Sequence, residues 1–285
     1  MKSKKVKRFF LYAGVVLIVV WTLAPVVWLF ISSISPHKEL LDTSQWLPEN
    51  PTLKNYVTFF NLSTHTGESF LSALRNSIII ATSVTIICLA ASTLAAYALA
   101  RLEFKGKKFL VVSMLSTRML PTVALIIPFF VLVVYYVGSF VQLYDTRINL
   151  IILYTSFILG FDIWIMRGYL MSIPKELEEA GLIDGLNRWG VLFKIILPLS
   201  APGLVATGIF SFLLAWNEFL LALIFTKSNQ SITLTLFIQE LGSQYTTSWE
   251  QVSAAGFIAI LPPVILALLF QKFIIKGLTA GSVKG

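Results

Sequence analysis

The chain is 285 residues long, 56% hydrophobic and only 13% charged, with a net charge of +8 and a mean hydropathy of +0.81. Soluble domains carry about 25% charge and 45–50% apolar residues, so a soluble enzyme and a disordered chain are both excluded. The positive charge does not point to nucleic acid, because the basic residues sit between long apolar runs. The single cysteine, Cys88, rules out an intrachain disulfide framework, and the isolated His37 and His65 offer no histidine-rich metal site.

A bilayer core needs about 20 mostly apolar residues in a helix. Six stretches meet that requirement, and they predict an all-α membrane protein with six transmembrane helices. They run from Phe9 to Ile31, Asn76 to Ala100, Phe109 to Val134, Ile148 to Met166, Gly203 to Phe225 and Val252 to Gln271. Runs such as Ile78-Ile79-Ile80 lack the alternation that a membrane barrel requires. The first stretch has a basic start but is longer than a signal-peptide core and lacks a clear small-x-small cleavage site. It reads as a retained helix. The expected organisation is one transmembrane domain over 1–285. Residues 1–72 hold the first span and an outer loop, 73–275 the core spans, and 171–198 a cytoplasmic loop within that core.

Charge sets the orientation. With the N-terminus inside, most of the 22 basic residues fall in inner segments, from Lys2–Arg8 through Arg101–Lys108 and Arg167–Lys194 to Lys272–Lys284. Both termini are then cytoplasmic. The outer side holds two larger segments, 32–74 and 226–251, and Asn55 to Leu62 is expected to form a short helix. Pro121, Pro128, Pro262 and Pro263 are expected to bend or interrupt spans.

Arg118, Asp162 and Glu218 interrupt otherwise apolar spans. Such residues are costly against lipid and face protein or water, either as structural contacts or along a solute path. Asn217 is a candidate donor to a solute hydroxyl or to a neighbouring helix. Trp164 and Trp216 are candidates for stacking on a solute or for core packing.

The inner segment from Tyr169 to Pro198 differs from its neighbours. Glu176, Glu178 and Glu179 crowd a first helical turn behind Pro174, where carboxylates favour the positive helix end. Leu177, Ala180 and Gly181 share a face by spacing, Leu182 and Ile183 enlarge the apolar surface, and Gly185 permits a sharp turn. A second amphipathic piece runs from Leu186 to Leu197. The pattern fits a helix-turn-helix lying on lipid, or a docking surface for a cytoplasmic partner.

Glu179-Ala180-Gly181-Leu182-Ile183-Asp184-Gly185, followed by Ile195, Leu197, Pro198 and Pro202, resembles the EAA loop of bacterial ATP-binding-cassette (ABC) importer permeases. Gly181 stands where that loop usually has a second alanine, which lowers local helix propensity by about 0.8–1 kcal/mol. Arg118-Met119-Leu120-Pro121, Ala215-Trp216-Asn217-Glu218-Phe219 and the tail from Gly277 to Gly285 are similar to the carbohydrate branch, and to its shorter maltose-type permease subunit.

The resemblance covers nearly the whole chain and implies a type I importer permease with a cytoplasmic coupling helix. It implies a homologous second permease, two cytoplasmic ATPases that bind ATP and Mg, and an extracytoplasmic carbohydrate-binding protein. No nucleic-acid partner and no directly bound cofactor are implied. The chain has no phosphate-loop motif, so ATP hydrolysis is expected on the partners. ATPase coupling then falls to Glu178, Glu179, Ala180, Gly181, Leu182, Asp184 and Gly185. Gln239, Glu240, Gln244 and Tyr245 become candidates for contacting the binding protein. A secondary transporter using Asp162 or Glu218, and an ABC permease for a non-carbohydrate solute, are the alternatives.

Overall fold

The computed structural model describes residues 2–42, 45–138, 140–243 and 247–280. Every regular element among them is helical. In chain order these are α1 (Lys2–Ile34), α2 (His37–Leu40), α3 (Lys54–Phe59), α4 (His65–Arg101), α5 (Lys107–Ser116), α6 (Thr122–Val131), α7 (Arg147–Ser172), α8 (Glu176–Ile183), α9 (Arg188–Val191), α10 (Leu197–Leu199), α11 (Ala201–Trp216), α12 (Leu220–Phe225), α13 (Leu234–Ser243) and α14 (Trp249–Ala280). Single π-helical turns follow α6 and α9, at Leu132–Val137 and Leu192–Ile196. The short helix expected from Asn55 to Leu62 is present as α3.

Four helices among the described residues are long and apolar enough to cross a bilayer, at Lys7–Ile34, His65–Arg101, Arg147–Ser172 and Trp249–Phe273. A fifth is reached if Arg188–Leu199 and Ala201–Trp216, bent by 76°, count as one span. Six continuous helices are therefore not what the chain builds.

The third expected span breaks at Leu120–Pro121. Proline pushes its predecessor out of the helical region, and Leu120 is extended at φ −77°, ψ 121°. Two short helices, α5 and α6, flank that break. The fifth expected span ends at Trp216 and resumes only at Leu220, across Asn217, Glu218 and Phe219. By contrast, α14 continues unbroken through Pro262 and Pro263.

The chain divides into two compact units. The first comprises residues 1–71 and 237–262. Its core is aromatic: Phe59 stacks on Phe70 at 4.6 Å, and Phe237 meets both rings edge-on. The α1 terminus is fixed by Asn55 Nδ2, which donates to the Ser33 carbonyl at 3.1 Å, and by Thr52 N–H, which donates to Ile34. The apolar stretch of α1 is wholly unburied by protein, as a lipid-facing helix would be.

The second unit comprises residues 72–236 and 263–285. Here α7 packs along α11, and the loop before α7 is tied to the loop after α12. Asp145 holds that junction. Its Oδ1 accepts from the Lys227 N–H at 2.8 Å, the Ser228 N–H at 3.0 Å and the Ser231 hydroxyl. Its backbone lies at φ 61°, a region Asp tolerates better than most residues. Nearby, Arg147 Nε donates to the Gln230 carbonyl at 2.9 Å. Asn76 Nδ2 donates to the carbonyls of Asn229 and Ile232.

Burial alone would raise the Asp145 pKa, but the hydroxyl and N–H donors outweigh it and hold the carboxyl below the usual range. A depressed folded-state pKa contributes stability above the unfolded value, about 3.9, and that contribution is lost as pH falls through the folded value. Thermal unfolding of the detergent-solubilised protein should therefore drop on the acid side below about pH 4. In Asp145→Asn that acid-side drop should shrink.

Candidate functional site

The segment after α7 is shaped by local chemistry at both ends. Pro174 keeps Ile173 extended, so α7 stops and the chain turns. The first turn of α8 then forms with the Glu178 and Glu179 N–H groups bonded to the Lys175 carbonyl. Glu176, Glu178 and Glu179 all lie at the positive end of this helix. At the other end, Gly185 adopts φ +85°. Its N–H bonds to the Leu182 carbonyl at 3.1 Å, and the Leu186 N–H bonds to the Gly181 carbonyl at 3.0 Å. This pair of bonds is a Schellman motif, and it needs glycine at the left-handed position. Two residues on, the Asn187 side chain caps α9 by accepting from the Gly190 N–H at 2.7 Å.

The orientation of α8 inverts the usual amphipathic order. Its buried residues are Glu178 and Gly181. Glu178 forms an ion pair with Arg101, the last residue of α4, and the two side chains are only 11% and 4% exposed. Tyr97, one turn earlier on α4, donates its hydroxyl to Glu178 Oε2 at 3.4 Å. A second Arg101 nitrogen, Nη2, donates to the Ile173 carbonyl at 2.8 Å. Around this pair lies an apolar cluster that includes Ala96, Tyr97, Met166, Leu170, Ile173, Val191 and Ile196. Gly181 sits so close to Ile195 that a Cβ there would run into its Cδ1 methyl.

The opposite face is left open. Glu179, Ala180, Asp184 and Gly185 are exposed, and so are Leu177, Leu182 and Ile183, the last at 86%. Leu177, Ala180 and Gly181 share a face by spacing, but only Gly181 of the three is buried, and Glu178 turns inward beside it. Of the residues read as the coupling segment, Glu178 and Gly181 thus point into the protein. Glu179, Ala180, Leu182, Asp184 and Gly185 remain available to a partner.

The span-embedded candidates have other surroundings. Asp162, on α7, is fully buried and accepts from the Ser211 hydroxyl of α11 at 2.5 Å, joining two packed helices. Glu218 turns its carboxylate back on the chain, accepting from the Leu221 and Ala222 N–H groups at 2.9 and 3.2 Å. It thereby satisfies the otherwise orphaned donors at the start of α12. Asn217 is exposed and donates to the Leu213 carbonyl. Trp216 is buried, stacked on Phe212 at 5.6 Å, while Trp164 is 45% exposed and stacked on Phe161 at 5.6 Å. The Arg118 side chain lies outside the described residues. Gln239 and Glu240 are exposed on α13, whereas Gln244 and Tyr245 lie outside the described residues. Among the described residues, no group of three or more His, Cys, Asp or Glu side chains is placed to hold a metal.

Sequence reasoning counted Arg101 only as an inner positive charge and did not single out Tyr97 or Ser211. The available signal was one arginine closing a long uncharged span, with a surplus of carboxylates on a nearby short helix.

Residues 89–280 match the family of binding-protein-dependent transport system inner membrane components. The chain belongs to that family. It is a multi-pass inner-membrane protein and a transport subunit rather than an enzyme. Over its full length it is 37% identical to the trehalose/maltose transport system permease protein of Thermococcus litoralis, also matched over 100% of its length. It is 36% identical to the trehalose transport system permease protein of Mycobacterium tuberculosis, over 94% of this chain and 95% of that one. The fold matches a chain of a bacterial ABC transporter involved in the import of the acidic polysaccharide alginate. The TM-score is 0.79 at 22% identity, over 96% of this chain and 98% of that chain.

Two stability differences follow from this geometry. Glu178→Ala leaves Arg101 buried without its carboxylate and should cost about 3–5 kcal/mol. Glu179→Ala, one residue away but exposed, should stay within about 0.5 kcal/mol. Thermal unfolding of the two purified variants in one detergent checks the contrast. Gly185→Leu forces a branched side chain into the left-handed region and should cost about 1–2 kcal/mol, read by the same measurement.

Proposed function

We propose that this chain is one permease half of an ATP-driven carbohydrate importer. Two of its relatives over nearly the full length are named for trehalose and maltose transport, and that supports a carbohydrate solute. The observation that carries the coupling reading is the outward face of α8. A two-turn helix that buries a carboxylate and exposes Leu177, Leu182 and Ile183 presents apolar surface that a protein partner would cover.

In this reading the partner is a cytoplasmic ATPase. Glu179 supplies a polar contact, Ala180 and Leu182 the close packing, and Gly185 the turn that keeps the helix short. Closure of two ATPases around ATP and Mg moves α8, and that motion biases the membrane spans between inward and outward openings. No covalent step on the solute is needed.

A homologous second permease completes the pathway. The chain crosses the membrane six times, with both termini cytoplasmic. The third crossing is assembled from α5 and α6, and the fifth from α11 and α12. Trp164 and Asn217 are the exposed candidates for the solute path. A carbohydrate-loaded binding protein docks on the outer segment that includes Gln239 and Glu240.

Affinity purification in mild detergent from native membranes, with mass spectrometry of the co-purifying chains, tests the assembly. Recovery of a second permease and an ATPase with a phosphate-loop motif is expected, and reconstituted vesicles should take up labelled trehalose or maltose only with ATP. An active complex lacking any ATPase would contradict the reading and favour a secondary transporter. In assembled complexes, Glu179→Ala should weaken ATPase association about tenfold, the equivalent of one charge-assisted hydrogen bond of roughly 1.5 kcal/mol. Unchanged association would remove Glu179 from the contact.

A further inference from the structure

Three chain segments end at one guanidinium. Arg101 closes α4, pairs with Glu178 of α8, and donates to the carbonyl of Ile173 immediately after α7. Tyr97 adds a hydroxyl to the same carboxylate. A second tie lies one turn away, where Arg167 Nε of α7 donates to the Leu99 carbonyl of α4 at 3.4 Å. We infer that Arg101 is a positioning residue, the joint through which movement of α8 is passed to the long span α4. This rests on the importer reading above, since it needs a partner that moves α8.

A helix of eight residues has little stability of its own, so its direction is set by what it packs against. Two features do this for α8: the close seat of Gly181 on Ile195, and the Glu178–Arg101 pair. The first joins α8 to the turn that follows α9. The second, with the Tyr97 hydroxyl on the same carboxylate, reaches α4.

A buried ion pair is a poor device for stability, because an apolar pair of similar volume does as well or better. It is a good device for fixing geometry. The arginine holds two groups at once, here the Glu178 carboxylate as an ion pair and the Ile173 carbonyl by a hydrogen bond. A load applied at the exposed face of Glu179, Ala180 and Leu182 therefore reaches the end of α4 through this arginine. A lysine or an apolar residue would transmit it less rigidly.

Distance measurement between spin labels tests the joint. Labels at Glu176→Cys on α8 and Ile86→Cys on α4, both exposed, are placed in a Cys88→Ala background. The labelled chain is then measured in its assembled complex, nucleotide-free and trapped with ATP and vanadate. With Arg101 present, a single distance is expected in both states, since α8 and α4 move as one body. In Arg101→Ala/Glu178→Ala, which leaves no buried charge unpaired, trapping should shift that distance or split it into two populations. Arg101→Lys should show a smaller split.

If the double variant only lowers yield, and its distance stays single and unchanged on trapping, packing alone holds α8 and the inference is overturned. A distance that changes on trapping with Arg101 intact overturns it as well. A chain that co-purifies with no ATPase overturns the importer reading and this inference together, so the two failures are distinguishable.

Discussion

A carboxylate buried in an apolar cluster must be paired, and that constraint at Glu178 organises the end of the second unit where α4 and α7 terminate. Removing a carboxylate from water costs several kcal/mol unless a cation and further donors replace the solvent. Arg101 and Tyr97 supply them, and both lie on the last turns of α4. Meeting that need fixes the rotation of α8, since Glu178 and Gly181 are three residues apart and turn inward together. Everything on the other face follows, including the exposure of Glu179, Ala180 and Leu182. The exposed face of α8 is thus a consequence of an internal bond.

The interruptions of the membrane spans have a similar local origin. Leu120 is extended because Pro121 follows it, and α11 stops where Glu218 folds back to cap α12. A charged residue in an apolar stretch is commonly taken as a contact to solute or ion. Here one such residue, Glu218, accepts a backbone N–H on each carboxylate oxygen, and another, Asp162, bonds to Ser211 across two packed helices. Broken helices leave backbone polar groups that must be satisfied within the membrane, and caps of this kind meet that requirement.

The class of fold was legible in the sequence because bilayer thickness translates directly into apolar run length. The short helix α8 was legible for a different reason: three carboxylates behind Pro174 and a glycine at 185 are local signals for a helix start and stop. What was not legible depends on distant residues. Periodicity placed Leu177 and Gly181 on one face with Ala180, but an ion pair to a residue 77 positions earlier decided the rotation. Run length likewise could not register that Pro121 would break a helix while Pro262 and Pro263 would not. Asp145, which ties two loops 82 to 86 residues apart, left no periodic or compositional trace.

The most direct test of the central claim is thiol accessibility along α8. Single cysteines at positions 179, 180 and 182, in a chain carrying Cys88→Ala with Glu178 and Gly181 intact, are reacted with a maleimide before and after assembly with the ATPase. The account predicts rapid labelling at all three in the free chain and protection of all three in the complex. Slow labelling of the three in the free chain, or labelling that assembly leaves unchanged, would contradict it.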